Sequence, residues 1–330
     1  MERKRVDISV VVPVYGCPGA LPELHRRLST TLEGMGVSYQ IILVDDRCPM
    51  GSWASIRELA EQDPHVLGIH LARNFGQSRA ITAGLDRACC RWAVVMDCDC
   101  QDPPEHIPAL YAKAQEGYDV VFARRMDRKD SRLTLALSRT YYRVFSYLAE
   151  TTVDPSVGNF SMVSDRALQA YLSMREQGRD YSLFMTWIGF EQGYVDIEAE
   201  ERFEGKSSYT FSKKIKLAIE TITTHSIKPL TLAVKFGFIL ALFGLAVLVT
   251  LVIHHFVDSE VPMGWPSTIA SVFFIGGMIV SVMGVVGIYV GNTFAESRHR
   301  PLYLVQEELC LEPNDDQGEG PSPAQGNSES

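Results

Sequence analysis

Two aspartates one residue apart stand in the segment Met96-Asp97-Cys98-Asp99-Cys100-Gln101-Asp102-Pro103-Pro104-Glu105. On an extended segment, side-chain alternation sends both carboxylates to one side, about 7 Å apart along the chain. Two hard oxygen donors so placed suit Mg²⁺ or Mn²⁺ and leave coordination positions open for phosphate oxygens. Cys98 and Cys100 alternate away from the aspartates and are expected to pack inward rather than take a soft metal. A second acidic pair, Asp45 and Asp46, closes an apolar run; a carboxylate there can accept hydrogen bonds from a base or a ribose hydroxyl. Pro13-Val14-Tyr15 would form a wall beside that base. Arg73-Asn74-Phe75-Gly76-Gln77 precedes a helix, where the amides of Asn74 or Gly76 could face a phosphate. Arg124, Arg125, Arg128, Arg132 and Arg139 form one basic set, and Arg202-Phe203-Glu204-Gly205-Lys206-Ser207-Ser208-Tyr209 carries another. Gly205-Lys206-Ser207 is only a fragment of a phosphate loop; GxxxxGK[ST] is not satisfied, which removes a nucleotide hydrolase.

These residues need a frame. Short apolar runs at 8–15, 39–46, 66–72, 92–97 and 119–123 alternate with helical patterns at 21–35, 53–62, 78–89 and 105–116. Continuous apolar strands separated by helices predict a mostly parallel sheet covered on both faces. Such sheets bind ligands beyond the carboxyl ends of their strands, and Asp45, Asp46, Asp97 and Asp99 all fall there. Later strands are expected at 156–163 and 194–203, with helices at 165–175 and 182–190.

The distal third changes character. Residues 212–228 have helical spacing, with Lys213, Lys214, Lys216 and Lys228 opposite Ile215, Ile219, Ile222 and Ile227. That pattern fits a helix lying at a membrane surface, its lysines toward anionic headgroups. Residues 236–253 and 268–291 are uncharged and long enough to span a bilayer. Lys228, Lys235, Arg298 and Arg300 flank the pair on the outside, while Asp258 and Glu260 lie between; the positive-inside rule puts both outer flanks in the cytoplasm. The expected organisation is a cytoplasmic catalytic domain (1–211), an amphipathic juxtamembrane helix (212–231), two transmembrane helices joined by an extracytoplasmic loop (232–296), and a cytoplasmic disordered tail (297–330). Gly276, Gly277, Gly284, Gly287 and Gly291 could pack helices closely within or between chains, which leaves a homo-oligomer open.

The 330 residues are 46% hydrophobic, and the net charge of −9 with no dense basic field argues against nucleic acid as a partner. Seven cysteines show no CxxC pair and no zinc spacing, and reduced thiols in the cytoplasm are expected. No apolar signal-peptide core follows Met1-Glu2-Arg3-Lys4-Arg5, so the first domain is expected to stay cytoplasmic.

Val-Val-Val-Pro-Val-Tyr (10–15), Val-Asp-Asp (44–46), Arg-Asn-Phe-Gly (73–76) with Ala83-Gly84-Leu85, Asp-x-Asp-x-Gln-Asp-Pro-Pro-Glu (97–105) and Arg-x-x-Gly-Lys-Ser-Ser-Tyr (202–209) occur in that order, ahead of the apolar helix pair. Together they resemble glycosyltransferase family 2. More narrowly, they are similar to the polyprenyl-phosphate glycosyltransferases related to dolichol-phosphate mannose synthase and the bacterial undecaprenyl-phosphate glucosyltransferases. The resemblance covers roughly residues 6–300. It implies a GT-A fold, an inverting mechanism, a divalent metal, a nucleotide-sugar donor and a polyprenyl-phosphate acceptor at the membrane. By the family pattern Pro13, Tyr15, Asp45 and Asp46 contact the nucleoside, and Asp97, Asp99 and Gln101 serve the metal and diphosphate. Arg124, Arg139, Arg202 and Lys206 hold phosphates, with Ser207 nearby; Arg73 and Asn159 join the expected substrate-binding set.

Two departures from the pattern stand out. After the paired acids, Arg47-Cys48-Pro49-Met50-Gly51 lacks the usual acidic position. Gly158-Asn159-Phe160-Ser161 stands where relatives often have Gly-Asp-Phe-Arg, and the lost charge suggests a sugar other than glucose. A lipid phosphate is already anionic at neutral pH, so positioning and charge stabilisation are the expected means of catalysis, with Asp102 a candidate base of secondary weight. A processive polysaccharide synthase is the competing enzyme reading, although no Gln-x-x-Arg-Trp motif is present. A catalytically silent membrane scaffold is the competing non-enzymatic one.

Overall fold

The computed structural model describes residues 5–126, 144–148, 154, 156–198, 200, 222–223, 226–257 and 264–310. Within it, strands β1 (Val6–Val14), β2 (Tyr39–Asp45), β3 (Val66–Leu71) and β4 (Cys90–Val95) alternate with helices α1 (Leu21–Gly34), α2 (Ser52–Gln62) and α3 (Gln77–Leu85). A single 3₁₀ turn, Pro104–His106, leads into α4 (Ile107–Gln115). Then follow β5 (Val120–Arg125), β6 (Val157–Ser164), α5 (Asp165–Ser173), α6 (Tyr181–Trp187) and β7 (Gln192–Ile197). Two long helices, α7 (Lys228–Val257) and α8 (Trp265–Ser297), precede a last strand, β8 (Val305–Cys310).

One eight-stranded sheet runs in the order β7-β5-β6-β4-β1-β2-β3-β8. β1 pairs in parallel with β2 and β4, β2 with β3, and β5 with β7. β6 and β8 run antiparallel to their neighbours. The expected α/β sheet is therefore present and mostly parallel, with two reversed strands that the apolar runs did not distinguish.

Period-2 alternation divides the core in two. Val10, Val12 and Val14 of β1 face α1, whose Leu21, Leu24, Leu28 and Leu32 recur at helical spacing and are all buried. Each buried leucine stabilises the fold by roughly 1.5–3 kcal/mol relative to an exposed one. Val11 faces the opposite layer, with α3, α5 and α6. There Gly84 lets α3 lie directly on the sheet: a Cβ at this position would come within 2.3 Å of Val11 Cγ1 and 3.1 Å of Val44 Cγ2. This close approach holds the carboxyl-terminal turn of α3 against β1 and β2, while its first residue, Gln77, lies beside the exit of β4.

Three expectations require correction. The segment after β4 is not extended: the strand stops at Val95, Asp97–Cys100 form a turn, and Cys100 adopts φ 56°. Cys17 and Cys98 are joined by a disulfide rather than being two separate thiols. Parallel pairing of β1 with β4 places their exits side by side, which brings residues 81 apart in sequence together. The stretch 297–310 does not begin a disordered tail, because Val305–Cys310 completes the sheet against β3. Its polar side chains are fixed across the chain: Glu307 accepts from Trp53 Nε1 at 3.1 Å and Glu308 from Arg87 Nε at 3.2 Å.

Among the described residues, Phe274–Ser297 of α8 is long and apolar enough to cross a membrane, with a mean hydropathy of 2.1 and none of it buried. The expected first span, 236–253, is continuous helix within α7, and Phe236, Phe238 and Phe243 face outward. Side-chain bonds tie α8 to the segment that enters α7: Tyr289 Oη donates to Ser226 O at 2.7 Å and Asn292 Nδ2 to Thr223 O at 3.1 Å. The foot of α8 also meets the sheet domain, where Gln177 N donates to Glu296 Oε1 at 2.6 Å. Most of the expected amphipathic helix lies outside the described residues.

Candidate functional site

Asp97 and Asp99 sit at the carboxyl end of β4, in the centre of the sheet. The N-terminus of α3 and the start of β6 converge on Asp97. Gln77 Nε2 donates to Asp97 Oδ1 at 2.7 Å and Asn159 Nδ2 donates to the same oxygen at 3.3 Å. Asn159 is itself oriented by Ser182, whose Oγ donates to Asn159 Oδ1 at 3.2 Å. Asp99 Oδ1 accepts from Gln101 N at 3.2 Å, closing the turn. Burial pushes the Asp97 carboxyl up to about 6; the charges of Asp99 and Asp102 push the same way, against the Asn159 hydrogen bond and Arg125. A carboxylate destabilised by burial and by neighbouring carboxylates is one that a bound cation would relieve.

Arg125 is the nearest counter-charge. Its Nε and Nη2 donate to the two oxygens of Asp102 at 2.8 and 2.7 Å. Asp102 is only 2% exposed, so the pair is a bidentate, largely enclosed ion pair beside the aspartate turn. Both Asp102 oxygens are thus committed, which does not suit the secondary role of base suggested for it. Arg124, named for phosphate from the sequence, points to the other face, where its Nε donates to Asp196 Oδ1 at 2.6 Å. Alternation along β5 could have separated the two arginines. Val121 and Ala123 pack in the layer that holds Met96, Cys98 and Cys100, and Arg125 continues their face. Gln77 was also missed; its signal was its position as first residue of a helix opening at the ligand edge.

The acidic pair after β2 is enclosed. Asp45 Oδ1 accepts from Cys48 N at 3.1 Å and its Oδ2 accepts from His70 Nδ1 at 2.6 Å. His70 Nε2 faces Arg47 Nη1 at 3.0 Å, and Arg47 also donates to Gln306 of β8. Asp46 accepts from the Phe75 and Gly76 amides at 2.6 and 2.9 Å. Burial raises the pKa of both carboxyls. The pair therefore fixes the loops 46–51 and 73–76. Pro13 is buried in β1, whereas Tyr15 is exposed at the strand exit. Arg73 is exposed, its guanidinium 4.4 Å from the centre of the Phe75 ring. The 73–76 amides expected to face a phosphate are in part taken by Asp46.

Arg139, Arg202, Lys206 and Ser207 lie outside the described residues. The chain leading to the last three is anchored at the site: Glu200 N donates to Gln101 O at 2.9 Å. Arg27 of α1 ties the Glu200 carboxylate at 3.0 Å and that of Glu105 at 2.6 Å, which draws its own pKa well above the usual range.

The sequence matches the family model for glycosyl transferase family 2 over residues 9–171. It is 33% identical over 311 residues to the uncharacterized glycosyltransferase YkcC of Bacillus subtilis (strain 168), covering 94% of this chain and 96% of that one. The chain belongs to glycosyl transferase family 2. The bactoprenol glucosyl transferase of Shigella phage SfV is 31% identical, covering 92% of this chain and 99% of that one. The prophage bactoprenol glucosyl transferase homolog of Escherichia coli (strain K12) is 30% identical, covering 91% and 99%. The mannosyl-3-phosphoglycerate synthase of Rubrobacter xylanophilus aligns at a TM-score of 0.49 with 13% identity, covering 66% of this chain and 72% of that one. In this family 2 chain the matched span contains Asp45, Asp97, Asp99, Arg125 and Asn159, so the enclosed cluster lies within the family region.

Proposed function

We propose that this family 2 transferase moves a sugar from a nucleotide-sugar to a polyprenyl phosphate at the cytoplasmic face of a membrane. The observation that carries the reading is the joining, in one folded body, of the Asp97–Asp99 turn to the foot of a long apolar helix. The donor set supports Mg²⁺ or Mn²⁺: Asp97 and Asp99 would hold the cation, with Gln101 beside them. No cluster of three or more His, Cys, Asp or Glu ligands occurs among the described residues, so donor phosphate oxygens would complete the shell. When bound, the metal supplies charge neutralisation to the leaving diphosphate.

This chain's own residues orient and exclude. Gln77 and Asn159 hold the Asp97 carboxylate; the Arg125–Asp102 pair sets the turn from below. Tyr15 and the loops fixed by Asp45 and Asp46 line the nucleoside side. Glu200, anchored to Gln101, starts the connection to Arg202 and Lys206. The acceptor phosphate is anionic without a base, so alignment for in-line attack at the anomeric carbon is what the site must provide.

The second span and its topology belong to the same proposal. At 1.5 Å per residue the 24 residues Phe274–Ser297 reach about 36 Å, enough to cross. α7 would return alongside it, with Lys228, Lys235, Arg298 and Arg300 on the catalytic side. The relatives' names make nucleotide-activated glucose the first donor to try, while the uncharged Asn159–Ser161 stretch favours including other sugars. Membranes containing the protein, given radiolabelled nucleotide-sugars and polyprenyl phosphate, should yield label in the organic phase. Polymer would instead indicate a processive synthase, and no transfer from any donor would reject the reading.

A further inference from the structure

The disulfide lies inside the donor site. Cys98 is the residue between Asp97 and Asp99, and Cys17 follows Tyr15 by two positions, on the exit loop of β1. The Cα atoms are 6.4 Å apart, and the two residues are 7% and 2% exposed. Hydrogen-bonded pairing of β1 with β4 ends at Val11, Val95 and Met96. The bond therefore extends the tie between these two strands past the end of their ladder, into the loops. On the β1 side the loop turns at Gly16, φ 80°, whose amide donates to Cys48 Sγ at 3.2 Å. Cleaving the bond would leave the strand ladders in place and remove the covalent tie between the two loops that flank the cleft.

We propose that Cys17 and Cys98 form a reversible thiol–disulfide gate on donor binding. The oxidised pair holds the Tyr15 loop against the Asp97–Asp99 turn in the donor-binding arrangement; reduction to two thiols releases the loop and weakens donor affinity. This rests on the nucleotide-sugar reading of the site. The oxidant is a low-molecular-weight disulfide. One cysteine thiolate attacks it and expels a small thiolate; the second cysteine thiolate then attacks the protein sulfur of the mixed disulfide and expels the other. Two electrons pass from the cysteines to the small disulfide, giving one protein disulfide and two small thiols. A dithiol reverses the exchange. Ordering one side chain of the loop corresponds to a change in affinity of roughly two- to tenfold.

Full-length protein in detergent should be equilibrated with oxidised glutathione or with dithiothreitol, and its thiols mapped by alkylation and peptide mass. The Cys17–Cys98 cross-linked peptide is expected after oxidation and two labelled thiols after reduction. Titration with UDP and with GDP in Mn²⁺ should give tighter binding by the oxidised form. Cys17→Ser and Cys98→Ser should bind as weakly as the reduced protein and ignore the redox treatment. Should Cys98→Ser not fold, Cys17→Ser, outside the aspartate turn, carries the comparison. Nucleotide binding that is equal in both states refutes the gate alone, as does failure of the two thiols to join. Absence of binding by either nucleotide in either state refutes the donor-site reading and the gate with it.

Discussion

Replacing Arg125 with methionine tests whether the enclosed ion pair beside the aspartate turn organises the site. The change removes both hydrogen bonds to Asp102, at 2.8 and 2.7 Å, and leaves a carboxylate that is 2% exposed without its cation. Breaking a buried pair on one side costs about 3–5 kcal/mol. Arg125 is 32% exposed at its side chain, so water can enter the vacated space, and the lower end, about 3 kcal/mol, is expected. For a domain of this size that is a fall in Tm of roughly 6–12 °C. Adding Asp102→Asn should recover most of the loss, because the stranded charge is gone; activity should stay low, because the cation beside Asp97 is still missing. Thermal melts of the two single variants and the double variant measure the coupling directly. A loss below about 1 kcal/mol in Arg125→Met, or a double variant no more stable than it, would refute the reasoning.

Asp99→Asn should reduce transfer by at least about a hundredfold with little change in Tm, as expected for lost charge stabilisation at the leaving group; near-normal turnover would remove its metal role. Proton and metal compete for Asp97, whose carboxyl is raised to about 6, so Mn²⁺ affinity should be level above that pH and fall about tenfold per unit below it. Calorimetric titration across pH 5 to 8 reads this, and a profile flat throughout would contradict it. Asn159→Asp, which places a second anion against Asp97, should move the inflection to higher pH. Gly84→Ala puts a methyl 2.3 Å from Val11 Cγ1, and overpacking of this kind costs about 1–3 kcal/mol. It should displace the start of α3 with Gln77, so donor KM should rise with the loss of stability; unchanged melting would show that α3 does not lie so close.

Much of the sheet could be read from the sequence because its strands are buried on both faces and appear as unbroken apolar runs. The Asp97–Asp99 pair was legible for the same reason: it follows such a run. What escaped depends on pairings between distant segments. Val305-Gln306-Glu307-Glu308-Leu309-Cys310 is an edge strand with two acids, whose partners include Trp53, Arg57 and Arg87, more than two hundred residues earlier. Cys17 and Cys98 carry no informative spacing; parallel pairing of β1 and β4 brings them together. Asp45 and Asp46 were read as ligand contacts from type and position, yet burial committed them to His70, Cys48 and the 75–76 amides. Arg124 and Arg125 differ only in the face they occupy, so the choice between them required the packing phase of β5.

The position of β8 has a consequence for biogenesis. A ribosome makes β1 to β7 first, then both long helices, and only then the strand that covers β3. Until the last apolar helix has left the ribosome, the β3 edge keeps its backbone donors and acceptors unpaired, a template for unwanted strand addition. Completion of the sheet is therefore deferred until both long helices have been made. A chain halted before residue 305 would leave the β3 edge open, so a truncation far from the aspartate turn in sequence would still be felt in the sheet that carries it.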